Sequence, residues 1–200
     1  MELQKLAVKL FTTDPGRPPL ADFIEVFHRW IQQGEGNYHD VADYSHMQGG
    51  PGIVLVAYDA NVSIDETDNR RGLLYSRKAR LDGSNQEILR AVLTAALENC
   101  RRLEEEPLFG GVVRFSGNEL LFSVNDRLGA PNNDECYEAL KSEVAILAGL
   151  LYPCASLGFD RDPDPRKRLN LRLTAPTSRS AVELLQVLRP ASEKDIFRGI

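Results

Sequence analysis

The apolar residues of this chain fall into short alternating runs interleaved with longer stretches of helical period. Across residues 6–11, Leu6, Val8 and Leu10 alternate with Lys5, Ala7 and Lys9, the period of a half-buried strand. Asp14-Pro15-Gly16 and Pro18-Pro19 end that run. Residues 20–33 then change period. Leu20, Phe23, Ile24, Phe27 and Ile31 share one face of a helix that Gly34 and Gly36 stop. His28 stands at the border of that stripe, as a partly buried structural histidine, and Trp30 covers the core edge.

Residues 38–47 are polar and weakly periodic, which suits a short strand running into a loop. Gly49-Gly50-Pro51-Gly52 breaks the chain, and the unbroken apolar run 53–58 follows. Such a run predicts a strand covered on both faces at the sheet centre. Residues 61–65 extend it, Asp68 to Gly72 turn, and 73–80 return as its partner.

The next helix carries the strongest local signals. Ser84 and Glu87 have the spacing of a capping box. Ile88, Leu89, Val92, Leu93, Ala96, Cys100 and Leu103 form its stripe, with Asn99 among the flanking or outward positions. A hairpin is expected between 112–115 and 119–124 across Ser116-Gly117-Asn118. Asn132 and Glu135 suggest a second capping box, opening a helix that buries Cys136, Leu140, Val144, Leu147 and Leu151. Strands at 155–159 and 168–174 flank an Asp/Pro loop. In the second, Leu169, Leu171 and Leu173 alternate with Arg168, Asn170 and Arg172.

Helices thus fall between hairpins rather than between successive strands. The expected fold is α+β, a mixed, mostly antiparallel sheet with three main helices packed on it. One domain spans 1–176, and 177–200 supplies a short helix near 180–188 and a tail.

Composition narrows the function classes. With 42% apolar and 26% charged residues, the chain is neither disordered nor fibrous in type. Its net charge of −5 opposes nucleic acid and anionic membrane on average, so neither is an expected partner. No apolar run approaches the roughly 20 residues of a membrane span. The first residues lack the charged-then-apolar order of a signal peptide, so a cytoplasmic location is expected. Cys100, Cys136 and Cys154 contain no CxxC spacing, which excludes a zinc ribbon or thioredoxin-type dithiol and leaves three reduced thiols. Cys100 and Cys136 face the core by periodicity, which argues against nucleophilic roles. No GxSxG elbow supports a Ser-His-Asp hydrolase.

The most suggestive cluster is His39-Asp40-Val41-Ala42-Asp43-Tyr44-Ser45-His46. Strand periodicity puts His39 and Asp43 on one face, and a bend at Ser45 brings His46 to them, giving three ligands for a divalent metal. Alternatively, His46 is a general base oriented by Asp43. The plainer reading is a solvated loop whose Asp and His side chains cap turns.

A second cluster, Asn125, Asp126 and Arg127 followed by Asn132, gathers amide, carboxylate and guanidinium groups beside a helix N-terminus. Such a place binds phosphate or carboxylate, or is simply a set of surface caps and ion pairs. Three further patterns read as structural. Gly49 to Gly52 opens a strand rather than a helix, so it is not a phosphate loop. Asp160, Asp162 and Asp164 begin like a calcium loop, but Pro165 and Leu171 occupy the Gly and Glu positions. Arg70, Arg71, Arg77, Lys78 and Arg80 have only Tyr75 as an aromatic companion and suit a charge-protected edge strand.

Two function classes follow, with an anion-binding module around Asn125, Arg127 and Asn132 as a third option behind them. The first is a non-enzymatic binding or assembly protein, associating with itself as a homo-oligomer or with another protein. The second is a metal-dependent, hydrolase-like enzyme using His39, Asp43 and His46.

Overall fold

A computed structural model describes residues 1–34, 37–176 and 179–189. Eight strands form one sheet: β1 (Leu6–Thr12), β2 (Tyr38–Tyr44), β3 (Gly52–Ala57), β4 (Ala60–Asp65), β5 (Gly72–Arg77), β6 (Phe115–Val124), β7 (Gly158–Asp160) and β8 (Leu169–Thr174). Their order across the sheet is β2-β3-β4-β5-β1-β6-β8-β7, and every pairing between them is antiparallel. Four helices accompany them: α1 (Leu20–Gln32), α2 (Asn85–Glu104), α3 (Asp134–Leu151) and α4 (Ala181–Leu188). The chain is a single α+β domain.

The alternation of each strand sorts the sheet into two unlike faces. Val8 lies beside Tyr75 and Phe122, which continue to Val62 and Leu171; all are buried. The parallel row through Leu10 runs from Ile64 and Leu73 to Leu120 and Leu173. Onto this face pack α1 against β2 and β3, α2 across β1 and β5, α3 against β8, and α4 against β6 and α2. One continuous core results, and Leu184, Leu185 and Leu188 of the short α4 belong to it.

Helix ends follow their caps. The Ser84 side chain accepts from the Glu87 amide while Glu87 reaches back to the Ser84 amide, and Ser180 and Glu183 repeat the device at α4. At α3 the cap is Asn133, accepting from the Cys136 amide, rather than the expected Asn132–Glu135 box. Asn132 is needed elsewhere, as described below. On α1, Trp30 is fully buried rather than at the core edge, hydrogen-bonded to Glu106 and covered by the Arg102 guanidinium 3.8 Å from its ring centre. His28, expected to be partly buried, is exposed. Asn99 of α2 points inward, because its amide oxygen accepts from the Tyr38 hydroxyl at 3.0 Å.

Three strand expectations change. The run 53–65 is a hairpin, β3 and β4, turning at Tyr58-Asp59 where the Asp59 carbonyl accepts from the amides of Lys78 and Ala79. β3 sits second from the edge rather than at the centre; the centre belongs to β5 and β1. β5 is therefore interior, not a charge-protected edge. Finally, 112–124 is no hairpin. β6 continues as one strand through Ser116-Gly117-Asn118, where its register against β1 shifts, and the Gly117 amide donates to the Arg179 carbonyl at 2.9 Å. A Cβ on Gly117 would stand 2.5 Å from that oxygen, so this glycine permits a close approach instead of a turn. The tail expected over 190–200 lies outside the described residues.

Candidate functional site

Among the described residues no helix packs on the second face of the sheet. Its central row reads Ser63, Leu74, Lys9, Leu121, Arg172 and Asp160 from β4 to β7. Over this row lies a cavity of 590 Å³. β1 contributes Lys9 and Phe11, β6 Leu121 and Ser123, and β8 Asn170 and Arg172. The segments around residues 65–70 and 160–168 form its walls, and Arg127 joins from beyond the end of β6. Eight of the lining residues are Lys or Arg and four are Asp, in a chain whose net charge is −5. Positive charge is therefore concentrated here against the average of the molecule.

The floor is built around a buried ion pair. Lys9 is 3% exposed and its ammonium bonds the Asp65 carboxylate at 2.5 Å, with the Thr67 carbonyl at 3.4 Å. Asp65, equally buried, also accepts from the Thr67 amide at 3.2 Å and the Thr67 hydroxyl at 2.8 Å. Burial lowers the Lys9 pKa from its ordinary value, and the facing Asp65 carboxylate offsets only part of that. Next to it, the Arg70 guanidinium lies 3.9 Å from the centre of the Phe11 ring. Arg70 grips Glu119 with two hydrogen bonds of 2.6 and 2.8 Å, which hold the Glu119 carboxyl below its ordinary range. Arg172 approaches the same carboxylate at 3.4 Å.

The wall at 160–168 is tied down from behind. Asn132 is 6% exposed, and its amide nitrogen donates to the carbonyls of Asp162 and Asp164, both at 2.8 Å. Asn170 accepts from the Asp162 amide at 3.0 Å and donates to the Arg168 carbonyl at 3.0 Å. Two of the three carboxylates in the Asp160-x-Asp162-x-Asp164 pattern are spent within the loop. Asp162 takes the Asp164 amide and the Lys167 ammonium, and Asp164 takes the backbone and guanidinium of Arg166. Arg161 pairs with Asp134 and rests 4.8 Å from the Tyr137 ring centre.

The second expected cluster is thereby divided. Arg127 lines the cavity, and Asn132 supports its wall. Asp126 accepts from the Gly129 amide, and Asn125 is exposed with its backbone amide bonded to the Lys5 carbonyl. The first cluster lies far from this in the sheet order, on the edge strand β2. There the register slips between Tyr38 and Asp40, an extra residue that ends simple alternation. Tyr38 and Val41 both pack on the core, so His39 and Asp43 do not share a face as strict period two requires. The Asp43 carboxylate accepts from the Ser45 amide at 2.8 Å, the turn-capping role of the plainer reading, and the Ser45 side chain together with that amide holds its pKa down. Among the described residues no three His, Cys, Asp or Glu side chains are grouped to hold a metal ion, and His39, Asp43 and His46 form no such set. The bulge and the two carboxylates also guard the outer edge of β2 against strand addition.

Of the basic run, only Arg70 reaches the cavity. Arg71 bonds Glu66 and the Pro18 carbonyl, Arg77 bonds Asp59, and Arg80 bonds Glu2. Cys100 is buried and its thiol is pushed up by desolvation, Cys136 is half-buried, and Cys154 is exposed. A second recess, by Trp30, mixes Arg101 and Arg102 with Glu105 and Glu106 and lacks any excess of charge. No helix among the described residues is long and apolar enough to cross a membrane. The sequence singles out Arg70 only within the charge-protected strand reading and Lys9, Arg168 and Arg172 for no binding role; the alternation of Arg168, Asn170 and Arg172 is the one legible sign of a charged strand face. No protein-family model matches the chain, and none of the curated proteins is similar enough to it to suggest a function.

Proposed function

We propose that this chain is a binding protein whose recognition surface is the helix-free face of the sheet and whose ligand is an anion. The observation that carries this reading is the cavity of 590 Å³ lined by eight cationic side chains against four carboxylates in an acidic protein. Its size falls in the range of about 300–1,000 Å³ typical of small-ligand sites. Its floor and walls are fixed by hydrogen bonds before any ligand arrives, which lowers the ordering penalty of association.

The test is an amide chemical-shift titration at constant ionic strength with citrate, phenyl phosphate and hexaglutamate, and with spermidine as the cationic control. Saturable shifts gathered at Lys9, Leu121, Ser123, Asn170 and Arg172 with an anion, and none there with spermidine, are expected. Shifts scattered over the surface, or gathered on the helices, overturn the reading.

A further inference from the structure

The cations of the cavity are of two kinds. Lys9, Arg70, Arg161, Arg166, Lys167 and Arg172 each face a carboxylate of the protein itself. Arg127 and Arg168 make no side-chain hydrogen bond or ion pair with any described residue, and both are exposed. The two unpaired guanidiniums arise at the same end of the same strand pair. Val124 of β6 lies opposite Leu169 of β8, so the antiparallel register places Arg168 beside Asn125, two residues from Arg127.

From that end the cavity changes character along the strands. The first row inward holds the Ser123 hydroxyl, which has no hydrogen-bond partner among the described residues, beside Asn170. One row on, roughly 7 Å away at about 3.4 Å per residue, come Leu121 and, across Lys9, Leu74. Phe11 follows. The cavity is therefore cationic and uncompensated at one end, hydroxylic next to it, and beyond that sets Leu121, Leu74 and Phe11 among the internally paired charges of Lys9, Arg70 and Arg172.

Resting on the anion-binding reading above, we propose that the ligand is a phosphomonoester of a single ring-sized body. Its phosphate sits at Arg127 and Arg168, its polar rim at Ser123, and its body against Leu121, Leu74 and Phe11. Two free guanidiniums match a dianionic head better than a carboxylate, because each presents a planar fork to phosphate oxygens and one negative charge would leave the second uncompensated. Leu121, Leu74 and Phe11, set among the paired charges of Lys9, Arg70 and Arg172, offer contact for one ring rather than a polymer. A long polyanion would also meet the negative remainder of the molecule, of net charge −5. Asn132 and Asn170 are positioning residues here: their amides hold the wall from which Arg168 projects.

The experiment is isothermal titration calorimetry of the full chain with phenyl phosphate, inorganic phosphate, benzoate and hexaglutamate at one ionic strength. Phenyl phosphate is expected to bind at least tenfold tighter than inorganic phosphate, which lacks the body, and at least tenfold tighter than benzoate, which lacks the dianion. R127A/R168A, two exposed positions that leave the core untouched, should weaken phenyl phosphate at least tenfold. Leu121→Asn should reduce its advantage over inorganic phosphate without changing the affinity for the latter. Equal binding of benzoate and phenyl phosphate, or an unchanged affinity in R127A/R168A, overturns the phosphomonoester proposal. Binding of hexaglutamate alone also overturns it while leaving the anion-binding reading standing. Binding of no anion defeats both.

Discussion

Removing Lys9 while keeping Asp65 should destabilise the protein more than removing both. The two side chains are each 3% exposed at the sheet centre, so a single truncation strands a charge away from water. Breaking a buried pair in this way costs about 3–5 kcal/mol, whereas replacing both partners by apolar groups is often close to neutral. The two single variants should also differ. In Lys9→Met the Asp65 carboxylate keeps two hydrogen bonds from Thr67, at 3.2 and 2.8 Å, which places the loss toward the lower end, about 3 kcal/mol. In Asp65→Leu the ammonium keeps only the Thr67 carbonyl at 3.4 Å, so the loss lies nearer about 5 kcal/mol, limited by the ease with which Lys9 gives up its proton. Lys9→Met/Asp65→Leu should lie within about 2 kcal/mol of wild type.

Urea unfolding followed by the fluorescence of Trp30, the one tryptophan and itself fully buried, measures all four species. The proton linkage has a definite sign. A lysine whose folded pKa is lowered leaves the unfolded chain binding more protons between that value and the ordinary 10.5. Stability contributed by this group therefore rises with pH across that window, and Asp65→Asn, which removes the chief raising influence, widens it. A double variant that loses the sum of the two singles would falsify this account of the pair.

Two shorter predictions follow from the backbone and from Glu119. Gly52 has φ +62 and a Cβ there would stand 2.0 Å from the Ile64 carbonyl, while Gly49 has φ +64 with open space around it. Gly52→Ala should thus lose at least about 2 kcal/mol in urea unfolding and Gly49→Ala only about 1; equal losses would show that the β3–β4 approach is not what demands glycine. Glu119 is held below its ordinary 4.5 mainly by Arg70, so its contribution is complete above 4.5 and disappears as pH falls through the lowered folded value. Because the pair is partly exposed, Glu119→Gln should cost only about 1 kcal/mol at neutral pH, and the variant and wild-type curves should converge in acid. A difference that persists when Glu119 is protonated in both states points to packing instead.

What could be read in the sequence was local. Ser84 and Glu87 announced α2 because a capping box is complete within four residues. The alternations of β1 and β8 gave their apolar faces for the same reason. The misreadings came where a residue answers to something distant. Gly117 looked like a turn because its reason for being glycine is the Arg179 carbonyl, far along the chain. Asn132 looked like a cap because its partners, Asp162 and Asp164, belong to another loop. The cavity follows this pattern throughout. Lys9 in isolation resembles any outward-facing strand lysine; only the placement of β1 between β5 and β6 buries it beside Asp65. Of the anion-binding candidates, Arg127 reaches the cavity because β6 ends where β8 begins, a coincidence of register invisible to spacing.

The placement of β1 in the middle of the sheet also bears on how the chain is made. Of the eight strands of this sheet β1 is synthesised first, yet its two neighbours are β5 and β6, and its Leu6 waits for Val124. During translation the growing chain can complete the β2-β3-β4-β5 meander and add β1 to it, leaving one long side of β1 open until β6 emerges. Throughout that interval an apolar strand presents unpaired amides and carbonyls to its surroundings, the arrangement that most readily recruits a neighbouring nascent chain. Closing the sheet demands contacts of large sequence separation, which slow folding. The hazardous stage in the life of this protein is accordingly its synthesis, and slower elongation between β5 and β6 lengthens the exposure.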